Sequence, residues 1–327
     1  MKRYLPFDAL RGLAILGVIL IHVSGYYMIV GAPAVVLNQV GRFAVPVFLI
    51  LSGWGLTITD SLKNGYGNFL IKRSRKILPL YLSWSVIYFA LHILRGSIKL
   101  NLKTMVQVFI FGSSEYHMYY VPLLFFLYIT YPFFLRVSRY GFGVFSTLVV
   151  TLLSMYVSIF NGSLSWWGGP NVFSWIVYFS FGIWIGLNFD KVTPRLRSVR
   201  IRFILGVLMI LSFALLLLEM KLLRGITSLK IVDLMTSMKG SVIIYSIIMV
   251  MIFMSWNITT RLLIKIGKHA YGIYLFHPLL LMVLNRIIGG RSSIIIMLLE
   301  YIATVVIAYC LTKIAVSLQR TLKERIG

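Results

Sequence analysis

The chain is dominated by long, continuous runs of hydrophobic residues separated by short polar segments. Apolar runs of about 18 or more residues are long enough to cross the hydrocarbon core of a bilayer as helices. A shorter apolar piece at 104–112 predicts a partial or re-entrant helix. The pattern as a whole predicts an all-α polytopic membrane protein with about ten transmembrane helices, at residues 9–29, 43–59, 77–94, 119–137, 142–160, 172–189, 203–220, 240–257, 270–289 and 294–316.

Composition points the same way. Of the 327 residues, 59% are hydrophobic and only 12% are charged, and the mean hydropathy is +0.91. In soluble domains about a quarter of the residues are charged. No segment of domain size has a soluble composition, so we predict a single membrane domain over residues 1–327. The first apolar run lacks a small-residue cleavage site, and we expect it to remain as a span.

The charge is strongly positive, with 32 Lys and Arg against 8 Asp and Glu. Of the 32 basic residues, 22 fall on one side of the predicted spans, which places both termini in the cytoplasm by the positive-inside rule. The basic loops therefore indicate a multi-pass protein of the cell (plasma or cytoplasmic) membrane in contact with anionic lipid, with no nucleic-acid partner. The single cysteine, Cys310, excludes an intrachain disulfide and is expected to serve packing.

The first span carries three residues that are unusual in an apolar helix: Asp8, Arg11 and His22. Arg11 and His22 are eleven residues apart, which places them on one helix face about 16 Å apart along the axis. This spacing predicts a cavity with a cation at its cytoplasmic mouth and a titratable base near mid-membrane. Packing of His22 against a neighbouring helix is the alternative. Asp8 is expected to orient Arg11 through a local ion pair.

Two later stretches near predicted spans also carry candidate residues. In "SGWGL" (52–56), Ser52 is a candidate acyl nucleophile, although close helix packing through Gly53 and Gly55 is the favoured interpretation. In "FLIKRSRKILPLY" (69–81), Arg73 and Lys76 lie three residues apart on a helix face and can clamp phosphates. A plain cytoplasmic anchor is the alternative for this basic run.

Further candidates lie on the opposite side and late in the chain. Glu115 and His117 precede a span on the outer side, and an ion pair of Glu115 with an outer-loop lysine competes with an acceptor-binding or proton-relay role. In the ninth span, the His277–Pro278 pair interrupts the backbone ladder and adds a polar ring. His92 is interpreted as a span-end residue and His269 as part of a basic loop. We predict no metal site.

The outer loop "NGSLSWWGGPNVFSW" (161–175) is rich in aromatic residues. These side chains are interpreted as interfacial anchors, with a platform for a sugar ring as the alternative.

The motifs, in this order, resemble those of the acyltransferase family 3 membrane proteins, which O-acylate cell-surface glycans. The matching stretches are "FDALRGLAILGVILIH", "VFLILSGWGL", "KRSRKILPLY", "EYHMYYVPLLFFLYITYP" and "YGIYLFHPLLL". The resemblance covers essentially the whole chain. The sequence departs from the family pattern at Lys76, where an arginine is usual, and at Tyr119–Tyr120, where Trp-Phe is usual.

The resemblance implies acyl transfer, commonly of acetyl, from cytoplasmic acyl-coenzyme A to a hydroxyl of a cell-surface or lipid-linked carbohydrate in the cell envelope. Carried onto this sequence, His22 is the general base, and Arg11, Arg73 and Lys76 hold the phosphates of the donor or orient its thioester. The acceptor approaches near Glu115, His117 and Tyr120. Acyl-coenzyme A is expected to be a substrate, and no permanently bound cofactor is expected. Direct transfer is preferred over an acyl-enzyme on a residue such as Ser52.

Two other functions stay open at this point. A transporter or flippase for a glycan or a lipid-linked carrier would also line a polar path with Arg11 and His22. Inverted repeats with broken helices, which are typical of such carriers, are not apparent in the sequence. A membrane scaffold or sensor without catalysis would leave the registry of Arg11 and His22 unexplained.

Overall fold

The computed structural model describes residues 4–161, 165–166, 169–227, 229–288 and 292–326. Lys2, Arg3 and part of the aromatic loop at 161–175, namely 162–164 and 167–168, lie outside these residues. Apart from short 3-10 turns and one pair of two-residue strands, every regular element is an α-helix. The predicted all-α fold class is confirmed.

The first half of the chain contributes α1–α8. Their bounds are Leu5–Gly25 (α1), Ala32–Val40 (α2), Ala44–Ile58 (α3), Tyr66–Leu94 (α4), Leu102–Phe109 (α5), Tyr120–Ile129 (α6), Tyr131–Val137 (α7) and Gly141–Phe160 (α8). The 3-10 turns are Met28–Val30 and Gly41–Phe43. Helix α5 falls in the apolar piece that was predicted as a partial helix.

The second half begins with the strands β1 (Ser165–Trp166) and β2 (Gly169–Pro170), which pair antiparallel, and a 3-10 turn at Val172–Ser174. The helices that follow are Ile176–Leu187 (α9), Phe189–Leu196 (α10), Val199–Ile226 (α11), Ile231–Leu234 (α12), Gly240–Ser255 (α13), Arg261–Lys268 (α14), Ala270–Ile287 (α15) and Ile294–Ile326 (α16).

Seven of the described helical segments are long and apolar enough to cross a membrane, and α2 and α3 count together as one of them. The count becomes eight when α6 and α7, which meet at an angle of 67°, are taken as one broken span. Helices α9 and α13 overlap two further predicted spans but have only 12 and 16 residues. The structure therefore supports a multi-span membrane protein without confirming ten spans.

The chain divides into two compact units, Met1–Phe48 with Thr193–Gly327, and Leu49–Val192. In the first unit α1 is the central helix, because it contacts α2, α13, α14, α15 and α16. In the second unit α9 packs against α7 and α8, and α4 packs against α5 and α6.

Glycines allow α1 to approach its neighbours closely. A methyl group built on Gly12 would lie 2.0 Å from the carbonyl oxygen of Leu263 in α14, and one built on Gly267 would lie 2.2 Å from the carbonyl oxygen of Asp8. Near the middle of α1, a methyl group on Gly41 would lie 2.6 Å from the carbonyl oxygen of Gly17. Backbone meets backbone at these points, so the position of α1 is fixed along most of its length.

Helix α1 begins and ends four residues earlier than the predicted span 9–29. Pro6 is tolerated in the first helical turn, where its missing N–H has no intrahelical partner to lose. Tyr26 caps the other end. His22 therefore lies in the last turn of α1.

We predict that Gly12→Ala disrupts the first unit, because the added methyl group meets the rigid backbone of α14. The cost expected for overpacking is about 1–3 kcal/mol. The measurement is the yield of monodisperse protein and its midpoint of thermal unfolding in detergent. Gly25→Ala in the same helix is the matched control, since a methyl group there has no neighbour within 4 Å among the described residues. Equal behaviour of the two variants would contradict the packing account.

Candidate active site

The proline in α15 determines the state of a buried histidine. Pro278 has no backbone N–H, so the carbonyl of Tyr274, four residues earlier, loses its helical donor. The Nδ1 atom of His277 lies 2.9 Å from that carbonyl oxygen and 3.1 Å from the carbonyl oxygen of Ile273. Carbonyl oxygens only accept hydrogen bonds, so Nδ1 carries a proton. When the ring is neutral, Nε2 therefore holds the lone pair.

His277 stacks on the histidine that the first-helix motif singled out. The ring centroids of His22 and His277 are 5.3 Å apart and their planes meet at 27°. His277 is fully buried, whereas His22 is partly exposed. A pair of imidazoles in contact, one with a fixed tautomer, can accept a proton from a hydroxyl group and return it to a leaving group.

A polar network surrounds the last turn of α1 beside His22. The Nδ2 atom of Asn38 donates to the carbonyl of Ile21 at 2.8 Å and to Ser24 Oγ at 3.1 Å. The Oδ1 atom of Asn38 accepts from the guanidinium of Arg42, with Nε at 2.9 Å. Arg42 and His22 are close enough for their charges to interact. The network thus places a cation near the histidine pair.

A second proline effect fixes the backbone at Arg42. Pro46 lies in the first turn of α3 and cannot donate to the carbonyl of Arg42, four residues earlier. The hydroxyl of Ser237 donates to this carbonyl at 3.2 Å. A side chain thus replaces the missing backbone hydrogen bond.

The predicted ion pair at the start of α1 is present. Arg11 Nη1 donates to Asp8 Oδ1 at 3.0 Å, and Asp8 is buried while Arg11 stays partly exposed. Because α1 is continuous, Arg11 and His22 lie on one face about 16 Å apart along the axis.

In the second unit, Arg73 and Lys76 line one cavity of about 390 Å³. Lys63 and Lys72 line it as well, and Asp60 is its carboxylate. Four cations around one cavity suit a phosphate-bearing ligand. Lys63 and Lys72 were not among the predicted site residues.

Arg73 is held in place by its neighbours. Its guanidinium carbon lies 5.8 Å from the ring centroids of both Phe69 and Tyr128, and Nη2 donates to Ser61 Oγ at 3.4 Å. Lys76 is exposed. The planar arginine is therefore preorganised, while the lysine is the exposed cation of the cavity.

The partner of Glu115 differs from the prediction. Glu115 Oε2 lies 3.0 Å from His92 Nε2, so the expected outer-loop lysine is not the partner. His92, interpreted from sequence as a mere span-end residue, thereby joins the candidate site. Its Nδ1 lies 3.1 Å from Ser97 Oγ, and Ser97 is placed by the end of α4, where its N–H donates to the His92 carbonyl across Gly96.

The other predicted residues of this unit lie in different surroundings. His117 is buried, with Tyr88 and Tyr116 edge-on at ring-centroid distances of 5.5 and 5.6 Å. Tyr120 begins α6 and is partly exposed. Ser52 lies in α3, and within the described part of the chain its hydroxyl has no hydrogen bond that would activate it as a nucleophile.

The two glycines of "SGWGL" behave differently. A methyl group on Gly53 would lie 2.3 Å from the carbonyl oxygen of Phe179 in α9, which confirms its packing role. A methyl group on Gly55 would meet no described atom within 4 Å. Cys310 is exposed, so its predicted packing role is wrong.

Sequence reasoning missed several polar residues. Arg42, Asn38 and Lys239 belong to the network around α1, and Glu300, buried in α16, accepts a hydrogen bond from the Tyr27 hydroxyl at 2.6 Å. Glu300 is one of only eight acids and lies inside an apolar run, which is the signal that would have identified it. Within the residues that the structure describes, no group of three or more His, Cys, Asp or Glu side chains can hold a metal ion.

We predict that Pro278→Ala loosens the tautomer of His277, because the new backbone N–H competes for the Tyr274 carbonyl. In protein labelled with 15N-histidine, the wild type should show His277 with a protonated Nδ1 and an unprotonated Nε2. Pro278→Ala should show exchange between tautomers at this residue. Pro79→Ala in α4 is the matched control, and the same spectrum in all three proteins would contradict the assignment.

Comparison with known proteins identifies the family. The sequence matches the family model of acyltransferase family 3, described as an acyltransferase domain, over residues 5–313. It is also similar to a protein of Enterococcus faecalis named amino-acid racemase, at 25% identity over 312 residues. That match covers 88% of this chain but 42% of the relative, so the chain spans less than half of that protein. No solved structure matches the chain. Because the family match runs through both units, the chain belongs to acyltransferase family 3 and carries its acyltransferase domain together with helices long enough to cross a membrane.

Proposed function

We propose that the protein transfers an acyl group, in the first place acetyl, from cytoplasmic acyl-coenzyme A to a hydroxyl of a cell-surface or lipid-linked carbohydrate. The observation that carries this proposal is the stacked pair of His22 and His277, with the proton of His277 fixed on Nδ1. An imidazole in a membrane helix costs free energy unless it is hydrogen-bonded or faces a polar cavity, so two such rings in contact support a polar site.

The chemistry that this pair supports is general-base catalysis. An imidazole nitrogen accepts the proton of the acceptor hydroxyl while the oxygen attacks the thioester carbonyl. The tetrahedral intermediate then collapses, the carbon–sulfur bond breaks, and the same proton reaches the departing thiolate. The negative oxygen of the intermediate is stabilised by a nearby cation, for which Arg42 and Arg11 are the candidates in the first unit.

The donor's phosphates are assigned to the cationic cavity of the second unit. Arg73 supplies a preorganised guanidinium, and Lys76, Lys63 and Lys72 add charge around a space of about 390 Å³. Diphosphate and 3′-phosphate groups are typical ligands of such clusters. Arg11, partly exposed and oriented by Asp8, is assigned to the thioester end of the donor.

The acceptor is assigned to the neighbourhood of Glu115, His117 and Tyr120. The contact of Glu115 with His92 supports a hydrogen-bonding surface for hydroxyl groups there. Direct transfer is preferred to an acyl-enzyme on Ser52, because the Ser52 hydroxyl has no hydrogen bond to a base among the described residues. Both termini are assigned to the cytoplasm of a plasma-membrane protein on the basis of the 22 basic residues on that side.

We predict that purified protein releases free thiol from acetyl-coenzyme A when a carbohydrate acceptor is present. His22→Ala should lower kcat by roughly 10²–10⁴-fold, the usual contribution of a general base, and His277→Ala should lower kcat through loss of the buried ring that contacts His22. His269→Ala is the control, since this residue caps α15 outside the histidine pair. Absence of turnover with any acyl-coenzyme A would contradict the acyltransferase function and favour the transporter function. Full activity of both histidine variants would remove only the base assignment.

We predict separately that Arg73→Gln and Lys76→Gln raise KM for acetyl-coenzyme A by about ten-fold or more with a smaller effect on kcat, because each removes a charge-assisted hydrogen bond to a phosphate. The measurement is the same thiol assay over a range of donor concentrations. Lys99→Gln, an exposed lysine outside the cavity, is the control. An unchanged KM in both variants would contradict the assignment of the cavity.

A further inference from the structure

A lysine is buried within the first unit near the end of α1. Lys239 is the N-cap residue of α13, its side chain is fully buried, and its Nζ donates to Gln39 Oε1 at 2.8 Å. Lysine is almost never fully buried unless it is paired. The residue therefore requires an explanation, and the sequence offers none.

Two charged groups act on Lys239 from the elements packed against it. Arg42 acts from the 3-10 turn before α3, and Glu219 acts from α11, where its carboxylate also caps α13 by accepting from the N–H groups of Gly240 and Ser241. Burial, and then the charge of Arg42, lower the pKa of Lys239 to about 7, while Glu219 opposes the shift. Lys239 thus changes its charge in the neutral range.

A continuous chain of hydrogen bonds leads from Lys239 to the histidine site. Gln39 Nε2 lies 3.5 Å from Asn38 Oδ1, which is the atom that holds the guanidinium of Arg42. The Nδ2 atom of the same asparagine donates to the carbonyl of Ile21, the residue before His22. Three hydrogen bonds thus connect the ammonium group of Lys239 to the backbone of Ile21.

We propose that Lys239 is a positioning residue of the histidine site, whose ammonium group, acting through Gln39 and Asn38, holds Arg42 and the last turn of α1 in place beside His22. The inference rests on the proposed acyltransferase function. Lys239 does not touch a substrate, since its side chain is inaccessible. It acts through the network, and Arg42 is the part of that network that is partly exposed.

The protonation state of Lys239 then controls the order of the site. A charged donor makes a stronger hydrogen bond to an amide oxygen than a neutral amine does. The protonated lysine holds Gln39 firmly, and the neutral amine holds it weakly. Turnover is therefore expected to fall as the pH rises through the neutral range.

Two substitutions separate the charge states. Lys239→Arg keeps the charge at every accessible pH, and Lys239→Met keeps the length without charge. In the thiol-release assay between about pH 6 and 9, the wild type should lose about ten-fold in kcat, the size expected from one charge-assisted hydrogen bond. Lys239→Arg should keep its rate across this range, and Lys239→Met should be low throughout. Lys230→Met, an exposed lysine, should follow the wild type.

If Lys239 only stabilised the fold, Lys239→Met would lower the midpoint of thermal unfolding. The positioning role predicts a different result. Because its pKa is lowered, buried Lys239 binds fewer protons than the unfolded chain between about pH 7 and its ordinary value near 10.5, so stability rises with pH in this window. Lys239→Met removes this cost, and its midpoint of thermal unfolding at neutral pH should equal or exceed that of the wild type. The proposal would be overturned if Lys239→Met had a lowered midpoint and if kcat of both Lys239→Arg and Lys239→Met still fell at the same alkaline pH as kcat of the wild type.

A second readout does not depend on turnover. In 15N-histidine-labelled protein, the signals of His22 should show a step near neutral pH that disappears in both Lys239 variants. If the wild type lacks turnover yet shows this step, the acyltransferase assignment fails and the positioning role stands. If the step persists unchanged in Lys239→Arg and Lys239→Met, the positioning role is wrong whatever the activity.

Discussion

The hydrogen bond from His277 Nδ1 to the Tyr274 carbonyl exists because Pro278 supplies no N–H at that point of α15. In a membrane, an unpaired backbone carbonyl costs several kcal/mol, so the freed oxygen must find a donor within the protein. The adjacent imidazole is that donor. The backbone constraint therefore selects the tautomer of a side chain, and the tautomer determines which nitrogen can act as a base.

This fixed imidazole is useful only because α1 brings a second one against it. Gly12, Gly17, Gly41 and Gly267 let α1 touch the backbones of its neighbours, and a helix in such contacts has little freedom to shift. His22 in its last turn is consequently held 5.3 Å from the ring of His277. Asn38, which binds Arg42, also donates a hydrogen bond to the same turn at the Ile21 carbonyl. Packing, rather than loop flexibility, thus creates the proposed centre of proton transfer.

The sequence predicted features that depend on local spacing. The membrane helices followed from apolar runs, and the ion pair of Arg11 with Asp8 followed from their separation of three residues. The motifs also led to His22 and His277 individually. Their contact could not be predicted, because it joins residues from the first and the ninth predicted spans.

The same limit explains the other differences. The contact between Lys239 and Gln39 joins residues 200 positions apart. Glu115 pairs with His92, and not with the expected lysine, because α4 ends beside the loop that carries Glu115. The periodicity of hydrophobic residues along the chain does not indicate which distant residues come into contact. The earlier start of α1 has a local cause, since Pro6 is tolerated in the first turn of the helix.

The central claim is that acyl transfer takes place at the histidine pair. The most direct test is an experimental structure of the protein bound to a non-reactive acetyl-coenzyme A analogue in which the thioester sulfur is replaced. The account predicts that the acyl carbonyl carbon lies within about 3–3.5 Å of where an acceptor oxygen bonded to His22 would sit, the spacing of a near-attack geometry. An acyl group bound against Ser52, or beside Glu115 and His92, with no contact to either imidazole of the pair, would contradict it.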